Sequence, residues 1–62
     1  MNYRDAIKAV KEAPAVYVGV GFNYDDITYV KAVKSDIIAE LRASEWAEVR
    51  IAIKPDNTVF IG

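Results

Sequence analysis

At Pro14 the apolar periodicity of this chain switches from that of a helix to that of a strand, and the same switch recurs in its second half. Before the proline, Tyr3, Ala6, Ile7, Val10 and Ala13 fall at helical spacing, while Arg4, Asp5, Lys8, Lys11 and Glu12 occupy the other side. Asn2 is a good N-cap, and Asp5 three residues on resembles a capping box with the shorter acid. Proline lacks an N–H and restricts the residue before it, so a helix over Asn2 to Ala13 ends there. From Ala15 the period is two. Val16, Val18, Val20 and Phe22 alternate with Tyr17, Gly19 and Gly21, which predicts a strand.

Asn23 to Asp26 supplies turn residues, and Ile27 to Val33 is a second β-rich run, so the pair reads as a hairpin. In that run Ile27, Tyr29 and Val33 compete with Val30 and Ala32 for the core side, and the first set is preferred. Ser35 then reads as an N-cap with Asp36 in the first turn of a second helix, in which Ile37, Ile38 and Leu41 form the apolar stripe. This helix should stop around Ser44 or Glu45. Val49, Ile51 and Ile53 alternate with Arg50, Ala52 and Lys54 as a third strand. Pro55-Asp56-Asn57 is a turn, and Thr58 to Ile61 is a short fourth strand.

The order is α-β-β-α-β-β, an α+β fold. The expected arrangement is one four-stranded antiparallel sheet with two helices packed on one face. Sixty-two residues make a single compact domain, 1–62. A core of this size supplies about 3–5 kcal/mol at most, and small domains usually need reinforcement. With no cysteine and no histidine there is no disulfide, zinc–thiolate or imidazole site to provide it. Yet 53% of the residues are apolar, which points to a dense core or to burial against another chain.

The same inventory argues against catalysis, and no cofactor is expected. Without His or Cys the candidates for acid–base or nucleophilic work are Asp, Glu, Lys, Tyr, Ser35 and Ser44, on a domain with little room for a water-excluding pocket. Gly19 and Gly21 do not open a dinucleotide loop, because the position where a third glycine belongs is Tyr24. They are expected instead to permit close approach of another backbone or a helix, or to mark a bulge. Asp25-Asp26 has no EF-hand spacing and reads as a solvated turn. Trp46 is expected to close one end of the core, or to be a binding hot spot if it is exposed.

Eight Lys/Arg stand against nine Asp/Glu, so no global field draws the chain to nucleic acid or anionic lipid. Charges follow the N-terminus at once and the longest apolar run, Ala15 to Phe22, is too short for a membrane span. Cytoplasmic location and no membrane partner are the expectations. If the valines and isoleucines of the strands face the helices, then Tyr17, Gly19, Gly21, Arg50, Ala52, Lys54 and Phe60 face away, joined by Lys31 according to the register of the second strand. Such an aromatic and basic face suits a protein interface, where Tyr, Phe and Arg are enriched. It also suits single-stranded nucleic acid, whose bases stack on aromatics while cations meet phosphates. The leading expectation is a non-catalytic binding module, dimeric through its open sheet face or an exposed strand edge. Single-stranded nucleic-acid binding is the alternative.

The stretch Tyr29 to Leu41, together with the terminal hairpin ending Val59-Phe60-Ile61-Gly62, resembles short uncharacterised proteins encoded by bacteriophages and prophages. In those, a valine-rich stretch ending in Lys-Ser leads from a strand into a helix, and the chain finishes on a strand with Ile-Gly. The resemblance carries no catalytic motif. It implies a small accessory protein of the host cytoplasm that acts by binding a host or phage protein.

Overall fold

A computed structural model describes residues 1–21 and 27–62. The elements follow the expected order: α1 (Tyr3–Glu12), β1 (Val16–Val20), β2 (Thr28–Ala32), α2 (Lys34–Ser44), β3 (Ile51–Ile53) and β4 (Val59–Ile61). The expected turn Asn23 to Asp26, with its acidic pair, and the far end of the first strand at Phe22 lie outside the described residues.

Helix α1 starts as its sequence dictates. The Asn2 side chain accepts the Asp5 backbone N–H at 2.9 Å, and beyond Ala13 the chain is extended towards Pro14. Ala6, Ile7 and Val10 form its buried face. Helix α2 begins two residues earlier than expected. Val33 takes the cap position without a side-chain hydrogen bond, and Ser35 lies inside the first turn. The first residue of α2 instead caps the other helix: Lys34 Nζ donates to the carbonyls of Lys11 and Ala13, at 3.0 and 2.7 Å, and so closes the C-terminal end of α1. Of α2 only Leu41 is buried, with Ile37 and Ile38 packed against the core.

The sheet is mixed, in the order β2-β1-β4-β3, rather than antiparallel throughout. Both hairpins are antiparallel, but β1 and β4 pair in parallel, with Val16 beside Val59, Tyr17 beside Phe60 and Val18 beside Ile61. The direction follows from the crossover. A helix between β2 and β3 returns the chain to the end at which β2 began, so β3 runs with β2 and β4 runs with β1. A wholly antiparallel sheet would need β3 beside β1 or β4 beside β2. The observed order puts the uncharged strands VYVGV and VFI in the centre and leaves the edges to β2, with Lys31, and to β3, between Arg50 and Lys54.

Register settles the facing of β2 against the preferred reading. Val30 lies opposite Val18 and Ala32 opposite Val16, on the helix side, so Tyr29 and Lys31 stand on the other face. The core is Ala6, Ile7, Val10, Ala13, Val16, Leu41, Val49 and Val59, and no polar side chain is buried among the described residues. Val49 precedes β3 instead of opening it. Its N–H donates to the carbonyl of Met1 at 2.6 Å, and the Tyr3 N–H donates to that of Trp46 at 3.0 Å, so residues 1–3 are stitched to 46–49.

Candidate interaction face of the sheet

The helices leave one face of the sheet uncovered, and its side chains follow from register alone. Lys31, Tyr17, Phe60 and Ala52 are consecutive partners across β2, β1, β4 and β3, forming one row that spans the sheet. Parallel pairing sets the rings of Tyr17 and Phe60 side by side, stacked with centroids 5.0 Å apart and planes 14° from parallel. Lys54 reaches in from the end of β3 and places Nζ 5.3 Å from the centre of the Phe60 ring, within cation–π range. Arg50 shares Ala52's side by alternation, and its carbonyl accepts the Gly62 N–H at 3.1 Å, which extends the β3–β4 ladder. Of the expected surface residues, Tyr17, Ala52 and Lys54 therefore adjoin Phe60, Lys31 lies beyond Tyr17 in the same row, and Arg50 flanks them.

Tyr29 also belongs to this group, although its sequence position was read as core. Its ring meets Phe60 edge to face, 5.2 Å between centroids and 88° between planes. It arrives there by passing over Gly19. A Cβ at Gly19 would lie 3.2 Å from Tyr29 Cε1 and 3.0 Å from Ile27 Cγ2. The glycine thus makes room for the side chains of Ile27 and Tyr29 and not for a helix, while the expected close approach of a second backbone is that of Gly62, where a Cβ would lie 3.2 Å from Gly19 N. A sequence signal for Tyr29 existed: it has the same parity as Lys31, and a lysine in the middle of a strand rarely points at the core.

The loop at the end of β3 bounds the face. Pro55, Asp56 and Thr58 line its rim with Tyr17, Lys54 and Phe60. Asn57, at φ 69°, completes a three-residue hairpin loop closed by Asn57 N–H to Lys54 O at 2.8 Å and Lys54 N–H to Thr58 O at 2.9 Å. Asp56 Oδ1 accepts the Thr58 N–H at 3.0 Å, which holds this carboxyl below its ordinary value.

Two other features were candidates. Trp46 does not close the core; it is 57% exposed, at the rim of a cleft of about 220 Å³ between α2 and the sheet that is lined by Val18, Ile37, Leu41 and Ile61. Among the described residues no group of three His, Cys, Asp or Glu could hold a metal ion, and no helix is long and apolar enough to cross a membrane. Ser35 and Ser44 lie at opposite ends of α2. No family model, curated protein or solved structure matches this chain.

Proposed function

We propose that this protein is a non-catalytic binding module whose open sheet face engages an acidic, partly apolar segment of another protein. The observation that carries the reading is the row Lys31–Tyr17–Phe60 with Lys54 over the outer ring: cations on both sides of an aromatic pair, on a sheet face that no helix covers. Tyr, Phe and Arg are the residues enriched in interface centres. The described strands carry Lys31 and no carboxylate on this face, and Lys54 joins them with Asp56 at the rim, so the balance of charge on the face complements an acidic partner. A second copy laid face to face would set lysines against lysines, which argues for a different molecule here. The phage-like resemblance would place that molecule among host or phage proteins.

Single-stranded nucleic acid remains the competing reading, through the same residues. Packing favours protein over bases: Tyr17 and Phe60 spend one ring face on each other, and Lys54 lies over the Phe60 ring, so fewer ring surfaces are left for bases to stack on. Amide-shift mapping separates the two. A synthetic peptide of alternating Glu and Leu should move the amides of Tyr17, Lys31, Ala52 and Phe60, weaken with salt, and lose affinity in Phe60→Ala. A short oligothymidylate should leave them in place. Larger shifts with the oligonucleotide would transfer the face to nucleic acid; peptide shifts confined to the helices would end the reading.

A further inference from the structure

The two edges of the sheet are not equally protected. β3 is three residues long, flanked by Arg50 and Lys54 and stopped by Pro55, which are the usual devices that keep an edge from pairing. β2 has none of these except Lys31. It runs five residues without proline or bulge, each in register with β1, and its other side meets no strand among the described residues. Tyr29 and Val30 on this edge are 42% and 50% exposed, and Val20 at the hairpin end is 51% exposed.

We infer that β2 is a self-pairing edge, which joins two copies of this chain into one continuous eight-stranded sheet. The occupant follows from the strand's own sequence. About a two-fold axis perpendicular to the sheet, each side chain keeps its face, so the strand can pair antiparallel with itself only in registers that set like parity against like. Centring on Val30 uses the whole strand: Val30 meets the partner's Val30, Tyr29 meets the partner's Lys31 and Thr28 meets the partner's Ala32. Both faces then match. On the helix side the exposed valines cover each other, and on the open side an ammonium meets an aromatic ring at two symmetric places. Centring on Lys31 would instead set lysine against lysine, and centring on Tyr29 would leave Ala32 without a partner inside the strand. The dimer would carry two copies of the aromatic face side by side on one surface. It does not depend on what that face binds.

Because the chain has no cysteine, single substitutions report the register directly. Val30→Cys should form a disulfide dimer under mild oxidation. Thr28→Cys and Ala32→Cys should cross-link with each other but poorly with themselves, since a disulfide needs Cβ atoms about 3.5–4.5 Å apart. Against Asn57→Cys on the far side of the sheet, Val30→Cys should react roughly a hundredfold faster at ~10 μM protein, from an effective concentration in the mM range. Sedimentation of the unmodified chain should show a mass rising with concentration from 6.9 kDa towards twice that value. A mass that stays at 6.9 kDa up to millimolar protein overturns the inference. So does a dimer in which Val30→Cys cross-links no faster than Asn57→Cys.

Discussion

Glu45 ends α2 in a left-handed conformation, at φ 50° and ψ 38°, with its N–H on the Leu41 carbonyl. Glycine holds this position in most helices that end so, because a Cβ there crowds the following carbonyl. The glutamate is unfavourable a second time, since its negative charge sits at the negative end of the helix dipole. Arg4 is raised above its ordinary value chiefly by its hydrogen bond to the Tyr3 hydroxyl, with the Glu45 charge a lesser contribution. Glu45→Gly is therefore expected to stabilise the protein by about 1 kcal/mol. A urea midpoint that rises with unchanged slope is the supporting result, and a fall would mean that the side chain of Glu45 contributes more than its backbone strain costs. Residue identity alone could not have revealed this. Glu45 was legible as a helix end, but its handedness depends on the chain turning at once towards Trp46, whose carbonyl is held by Tyr3.

At the scale of elements, what was legible is what local chemistry decides. α1 could be read from Asn2 and Pro14, and the second hairpin from Pro55-Asp56-Asn57, because cap and loop residues act on their own backbone. The parallel junction of β1 and β4 could not, since it depends on which strands reach the centre. Tyr29 was misread because its run has apolar residues at both parities, and only pairing with β1 chooses between them. The start of α2 was misread for a similar reason: Lys34 binds carbonyls more than twenty residues away, where no local pattern shows it. That lysine clamps the two helices together, and Lys34→Met tests it by keeping the aliphatic stem and removing the donor. The expected loss is about 1 kcal/mol, the usual worth of a charge-assisted bond discounted for partial exposure. Amide exchange should quicken in the last turn of α1 and the first of α2, and leave the β3–β4 hairpin unchanged. Uniform acceleration would show that the clamp matters to the whole fold and not to this junction.

For the whole molecule, the high apolar content and the small core are in tension. Among the described residues the buried set is eight, mostly valine and alanine, and Val20, Val30, Val33, Trp46 and Ile53 remain exposed. A monomer built this way has about 3–5 kcal/mol to lose, and without cysteine it has no disulfide in reserve. Leu41 is the only buried residue of α2, so Leu41→Ala, at about 2–5 kcal/mol for a leucine deletion, should bring a dilute monomer close to unfolding. Association through β2 changes that outcome, because a partner that binds only the folded chain stabilises it by mass action. The melting temperature of Leu41→Ala should therefore climb as protein concentration is raised. Adding Val30→Lys, which sets two ammonium groups against each other across the two-fold axis, should flatten the climb while leaving the dilute melting temperature nearly unchanged. A melting temperature independent of concentration in both variants would mean that the core alone sustains the fold, and that the exposed valines have no partner in a second copy.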